Sequence, residues 1–126
     1  MPREIISTPD APEYPSYSQA VKAGNTIHVA GTIGVDVATG RLAGPTIQEQ
    51  TRRSLLNCQA ILRAGGATLD DIVMVHTLLL RSEDADGVTE VFAEFFPEVR
   101  PPRCVSRLGV DRPGILVSIA MVAVID

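Results

Sequence analysis

Cysteine and histidine are scarce in this sequence of 126 residues, which has two of each and no tryptophan. Cys58 and Cys104 are too few for a framework of disulfides, so a reduced, cytoplasmic setting is the simpler expectation. His28 and His76 have no cysteine, histidine or carboxylate partner at the spacing of a metal-binding motif. The sequence therefore predicts no metal site.

Basic charge and long apolar runs are lacking as well. The net charge is −4, which disfavours binding of nucleic acid through bulk positive charge. Aromatic residues make up 4% of the chain, so few are available to stack on bases. The low aromatic content therefore argues against a ribonuclease function. The most apolar run, residues 115–125, is shorter than the about 20 residues that cross a bilayer, and no signal peptide is visible. We expect neither nucleic acid nor a membrane as a partner.

Motifs for nucleotide cofactors are also missing. The sequence has no Gly-x-x-x-x-Gly-Lys loop and no Gly-x-Gly-x-x-Gly fingerprint, so we expect no cofactor. It has no Gly-x-Ser-x-Gly elbow either. A Ser-His-Asp triad is therefore not excluded by the sequence, but no motif supports one.

The chain does contain enough apolar residues, 45% of the total, for the core of one domain over residues 1–126. The local patterns predict strands at residues 3–7, 18–23, 26–30, 71–80, 103–108 and 115–125, and helices at 46–65 and 84–96. This order predicts an α+β layer with both helices on one face of a mixed sheet. The second face would remain bare, so we expect it to be buried against other subunits.

The helix at 46–65 and the strand at 71–80 can be predicted in more detail. Thr46 and Glu49 have the spacing of a capping box, and Asn57 falls on the side of that helix expected to face water. In the strand at 71–80, alternation predicts two largely apolar faces. One consists of Val73, Val75, Thr77 and Leu79, and the other of Ile72, Met74, His76 and Leu78. A strand with two apolar faces is expected in the interior of the sheet.

Arg103 is the first candidate for a binding residue. Pro101 and Pro102 restrict the backbone before it, and a guanidinium held in place suits a carboxylate, although a surface arginine after a loop fits the pattern too. Cys104 must face away from Arg103 in a strand, so we read it as a small buried residue and not as a nucleophile. Tyr17, at a junction of loop and strand, is either a loop anchor or a hydroxyl directed into a pocket.

Several segments occur in a distinctive order and spacing over nearly the whole chain. They are residues 16–20, 24–25, 30–33, 50–60, 95–96 and 102–105, followed by the final apolar strand. Together they resemble the RidA/YjgF family of enamine and imine deaminases. The resemblance implies a chorismate-mutase-like fold and a homotrimer whose sheets form a central barrel, with a cleft between each pair of subunits.

The resemblance also implies a site and a reaction. Arg103 matches the arginine that binds a substrate carboxylate, and Tyr17 matches the tyrosine that reaches the ligand. Three further positions match residues that line the ligand. They are Gly31 and Val105, each through its backbone amide, and Thr32 beside Gly31. The family reaction is attack of water on a short-lived imine or enamine, which yields a 2-oxo acid and ammonia.

The last strand departs from the family pattern at Ser118, where the family places a glutamate that positions water and moves protons. A serine can hydrogen-bond a water but cannot act as a base near neutral pH. We therefore expect a deaminase in which Ser118 and Tyr17 act on the substrate, or a trimer that binds a small carboxylate without turnover. Glu13 or Asp111, from loops, are alternative sources of the missing carboxylate.

Overall fold

The structure, a computed structural model, describes residues 2–109 and 112–126. Its strands are β1 (Glu4–Ile6), β2 (Ala20–Ala23), β3 (Thr26–Ile33), β4 (Val35–Asp36), β5 (Arg41–Leu42), β6 (Ile72–Leu79), β7 (Arg103–Arg107) and β8 (Val117–Val124). Its helices are α1 (Ile47–Ala64) and α2 (Ala85–Phe95). The predicted order of strands, helix, strand, helix and strands is confirmed.

Six strands form one mixed sheet in the order β1-β2-β3-β8-β6-β7. All neighbours are antiparallel except β6 and β7, which are parallel, and β4 pairs with β5 in a separate ribbon. Both helices cover the same face, which confirms the predicted α+β layer. β7 is an edge strand, so one side of its backbone has no strand partner in the part of the chain that the structure describes.

The core lies between α1, α2 and the covered face of the sheet. Its fully buried members include Leu55, Cys58 and Leu62 of α1 together with Val75, Ile119 and Met121 of the sheet. Burial raises the pKa of the Cys58 thiol to about 12, so Cys58 stays protonated as a small core residue.

α1 begins with the predicted capping box. The Glu49 amide donates to Thr46 Oγ1 over 3.1 Å, and the Thr46 amide donates to Glu49 Oε1 over 3.3 Å. The expectation for Asn57 was wrong, because this side chain is fully buried. Its Nδ2 donates to the carbonyl oxygens of Ile33 and Val35, over 3.1 Å and 2.8 Å, at the end of β3. The helix therefore uses a polar residue to satisfy backbone where β3 leaves the sheet.

β6 lies between β8 and β7, as expected for an interior strand. Its first residues do not follow the predicted alternation, because Ile72 is buried while Val73 is 45% exposed. The pairing with β8 shifts register between Ile72 and Met74, which turns the first residue towards the core. From Val75 onwards the predicted faces are correct.

The face of the sheet opposite the helices is open in the single chain. It presents His28, His76, Leu78, Ala120 and Val122, all exposed or half-buried. Over residues 2–109 and 112–126, neither helix is long and apolar enough to cross a membrane. Burial of the open face against further copies of the chain stays a prediction.

Candidate functional site

Arg103 opens β7 and lies over the helix-covered face of the sheet. It pairs with Val75, a core residue of β6, so its side chain points to the same face as α2. Its Nη2 donates to Thr89 Oγ1 over 2.7 Å, and its Cζ lies 4.8 Å from the centroid of the Phe92 ring. The hydroxyl and the cation–π contact fix the guanidinium, although the residue is exposed to solvent.

A cavity of about 340 Å³, called here the Arg103 cavity, surrounds this guanidinium. It is lined by Thr89, Phe92, Ala93, Phe96, Arg100, Pro101 and Arg103. Two arginines and no carboxylate stand in this lining, and no carboxylate of the described residues forms an ion pair with Arg103. The cavity can therefore offer a fork of charged donors to an incoming carboxylate.

A second cavity of about 210 Å³, called here the Ser118 cavity, lies on the other face of the sheet. Its polar lining consists of Tyr14, Tyr17, Gly31, Arg112 and Ser118, and Ile33, Leu108 and Ile115 supply the apolar part. Three residues that sequence reasoning selected, Tyr17, Gly31 and Ser118, thus meet in one place.

Gly31 lies directly beside the Ser118 hydroxyl. A β carbon at Gly31 would stand 2.9 Å from Ser118 Oγ, closer than side chains normally approach, so glycine keeps this space open. β3 shifts register against β8 between Val29 and Thr32, so Gly31 lies within an irregular stretch of the strand. Ser54 of α1 donates to the Thr32 carbonyl over 2.6 Å and holds the shifted segment from the helix side.

Tyr17 stacks on Tyr14, with ring centroids 5.2 Å apart and an interplanar angle of 25°. Burial raises the pKa of Tyr14, and the neighbouring Tyr17 raises it further, while the positive charge of Arg112 acts in the opposite direction. Sequence reasoning missed Tyr14. The signal available was a second tyrosine three positions before Tyr17, across a proline that bends the loop.

Gln19 anchors the loop that carries both tyrosines. Its Oε1 accepts from the Thr8 amide over 2.7 Å, and its Nε2 donates to the carbonyls of Thr8, Ala11 and Pro12 over 3.0, 3.1 and 2.9 Å. The side chain is buried, so each of these bonds replaces a contact with water that the folded loop cannot make.

Replacing Gln19 with leucine is expected to lower the free energy of unfolding by about 2 kcal/mol, because buried backbone groups lose their partners. Chemical unfolding at matched protein concentration would measure it. Gln59→Leu is the control, since Gln59 lies partly exposed on α1. Equal losses in the two variants would contradict an anchoring role for Gln19.

Thr32 and Val105 line neither of the two cavities. The Thr32 side chain is buried towards the helices, and its Oγ1 donates to the Ala30 carbonyl over 2.8 Å. Val105 is 56% exposed on β7, and by the alternation of a parallel ladder its amide points to the unpaired edge. No described strand pairs with that edge, so the amide is available to a group from outside this chain.

Cys104 faces the open side of the sheet, away from Arg103, as strand alternation required. There its Sγ lies 3.1 Å from Nδ1 of His76. This pair joins residues 28 positions apart, which no spacing rule could have detected. The described residues contain no group of three or more potential metal ligands.

Of the two loop carboxylates considered from the sequence, Glu13 does not enter the Ser118 cavity. Glu13 Oε1 accepts a hydrogen bond from Ser7 Oγ over 2.6 Å, and Glu13 is not among the residues that line the cavity. Asp111 lies outside the described residues.

Arg103 and Ser118 point to opposite faces of the same sheet. Arg103 is in register with Val75, and Ser118 is in register with Leu78, three residues further along β6. Three residues along and two strands across correspond to roughly 14 Å between the two backbones. A small ligand held by Arg103 therefore cannot touch Ser118 of the same chain.

Comparison with known proteins agrees with this architecture. The sequence profile of the family described as Endoribonuclease L-PSP matches residues 8–125. A RutC family protein of Pyrococcus horikoshii is 41% identical over 96% of this chain and 97% of its own length. A protein of Dermatophagoides farinae named 2-iminobutanoate/2-iminopropanoate deaminase is 36% identical over 86% of this chain and 84% of its own.

A solved structure gives the same agreement in three dimensions. The crystal structure of Escherichia coli TdcF with bound serine superposes with a TM-score of 0.90 and 28% identity. The superposition covers 98% of this chain and 99% of that one. Serine carries a carboxylate, so that relative binds a small amino acid in this fold.

Proposed function

Because the chain belongs to the RidA/YjgF family, we propose that it hydrolyses a reactive 2-imino or 2-enamino acid to a 2-oxo acid and ammonia. The observation that carries the proposal is Arg103, a guanidinium fixed by Thr89 and Phe92 in a cavity that no carboxylate of the described residues lines. Such a group binds the carboxylate that all substrates of this class share.

The active site is composed of two halves from neighbouring copies in a homotrimer. The opposite faces of Arg103 and Ser118 support this arrangement, since neither half is a complete site alone. The unpaired edge of β7 and the open face of the sheet provide surfaces for neighbours. One copy supplies Arg103 and the Val105 amide, and the next supplies Tyr17, Gly31 and Ser118.

The reaction needs little from the protein beyond positioning. Water adds to the carbon of the C=N bond, the nitrogen takes up a proton, and ammonia leaves as the C=O bond forms. Tyr17 orients the substrate, and the Ser118 hydroxyl, beside Gly31, holds the attacking water. Ser118 accepts no proton near neutral pH, so the acceleration rests on orientation and on the charge of Arg103.

The direct test is release of ammonia from 2-iminobutyrate generated in situ by an amino acid oxidase. The protein is expected to accelerate release above the rate in buffer, in proportion to protein concentration. A rate equal to buffer at every protein concentration would refute the enzymatic function.

Mixing of subunits tests the shared site. Arg103→Gln and Tyr17→Ala each disable one half, and a trimer assembled from both has some boundaries with two intact halves. For random assembly from equal amounts, about a quarter of the boundaries are intact, so about a quarter of the wild-type activity should return. Activity no higher than the mean of the two pure variants would show that the halves do not meet between copies.

A second candidate function follows from the lining of the Ser118 cavity, which holds no carboxylate among the described residues. Without such a group the trimer would bind a 2-oxo or amino acid and signal its presence. Calorimetric titration with 2-oxobutyrate separates the two functions. Binding without any ammonia release from the imine supports the sensor, and absence of binding rejects it.

A further inference from the structure

The Ser118 cavity contains a cation that the proposed reaction does not use. Arg112 lines it from the loop before β8, together with Tyr14 and Tyr17. Within residues 2–109 and 112–126, no carboxylate lines this cavity and none forms an ion pair with Arg112. A concave site with one uncompensated positive charge attracts an anionic group.

Tyr14 adds a hydrogen-bond donor at the same place. Its hydroxyl oxygen is buried and has no partner among the described residues. Buried hydroxyls nearly always have partners, so an unpartnered one in a cavity lining requires an explanation. A carboxylate bound between Arg112 and Tyr14 would accept from both and satisfy the hydroxyl.

The backbone that carries Arg112 is fixed on its C-terminal side. The Arg112 carbonyl accepts from the Ile115 amide over 3.3 Å. Gln50, fully buried in α1, donates to the Gly114 carbonyl over 2.7 Å and accepts from the Leu116 amide over 2.9 Å. The base of the arginine therefore has a defined position relative to the cavity, which reduces the entropy lost when a ligand is gripped.

We propose that Arg112 and Tyr14 form a subsite for a second anionic group, so that the preferred ligands are 2-imino or 2-enamino acids with two carboxylates. This inference rests on the proposed function. The first carboxylate binds Arg103 of one copy, and the second binds the subsite in the neighbouring copy. The second carboxylate forms and breaks no bonds. Water still replaces the nitrogen at the carbon of the C=N bond.

Calorimetry with two stable product analogues tests the subsite. 2-Oxoglutarate and 2-oxopentanoate have five carbons each and differ in the terminal carboxylate. The wild-type protein is expected to bind 2-oxoglutarate about tenfold more tightly, as one charged hydrogen-bonded contact provides. Added salt should reduce this ratio, because Arg112 is exposed to solvent.

Two variants assign the preference to its residues. Arg112→Gln is expected to bring the ratio of the two dissociation constants close to one, and Tyr14→Phe to reduce it in part. Arg63→Gln, which removes an exposed arginine at the end of α1, should keep the full ratio. Circular dichroism checks that each variant is folded.

Two results would overturn the subsite. One is equal affinity of the wild-type protein for both ligands, and the other is a preference that survives in Arg112→Gln. If instead Arg103→Gln leaves the binding of 2-oxopentanoate unchanged, the proposed function itself fails. If 2-oxopentanoate depends on Arg103 while no preference for 2-oxoglutarate exists, only the subsite is rejected.

Discussion

Substitution of Arg103 by glutamine is expected to weaken binding of a 2-oxo acid about 100-fold, because two charged hydrogen bonds to the carboxylate are lost. The same loss is expected in kcat/KM for hydrolysis of the imine, since the carboxylate is bound in both the ground and the transition state. Calorimetry with 2-oxobutyrate and the ammonia assay measure the two quantities.

The contacts of Arg103 predict that its substitution by lysine weakens ligand binding less than its substitution by glutamine. Arg103→Lys keeps the charge but has no planar fork to lie over Phe92 while donating to Thr89. It should therefore retain part of the affinity. Arg63→Gln serves as the control for the removal of one positive charge far from both cavities. Similar affinities for Arg103→Gln and Arg63→Gln would show that Arg103 is a surface residue, the alternative that the sequence left open.

Much of the fold was predictable because its signals are local. A capping box begins α1, and an almost continuous run of apolar residues marks β8. Asn57 and Ile72 were misjudged because their burial depends on a neighbouring element. The first covers the end of β3, and the second lies at a register shift. A prediction from periodicity treats each helix or strand as regular and isolated. It therefore cannot show a contact with another strand or a shift of register.

The candidate site was predictable only in part for the same reason. Tyr17, Gly31 and Ser118 were selected separately, and the fold brings them together. Tyr14 and Arg112 share that cavity, but no motif connects them to it. The separation of Arg103 from Ser118 depends on strand order and on which face each residue takes. These are properties of the sheet as a whole, and they are the reason that a site divided between copies is proposed.

The charge of the Ser118 cavity links the two proposals made for it. With a neutral Ser118, no carboxylate of residues 2–109 and 112–126 competes for Arg112 in this cavity, so its lining is positive and can accept an anionic substituent. The same absence removes a proton acceptor from the reaction. An acidic residue at this position would therefore favour turnover and disfavour a second carboxylate on the ligand.

Replacement of Ser118 by glutamate is expected to raise kcat for imine hydrolysis about 100-fold or more, within the range that a positioned general base contributes. The new carboxylate would share the cavity with Tyr17 and Gly31 and could take a proton from the attacking water. The gain should disappear as the pH falls through the pKa of the new carboxyl group, because only the ionised form accepts a proton. The ammonia assay over a range of pH measures both effects.

Ser118→Gln is the matched control, since glutamine has nearly the shape of glutamate but no carboxylate that accepts a proton near neutral pH. It should show neither the gain nor the added pH dependence. In Ser118→Glu, the preference for 2-oxoglutarate over 2-oxopentanoate should also fall, because the new charge competes for Arg112. A kcat that is the same for the glutamate and glutamine variants would show that proton transfer at this position does not limit the reaction. The serine would then carry no catalytic cost, and the deaminase function would have to rest on Arg103 and orientation alone.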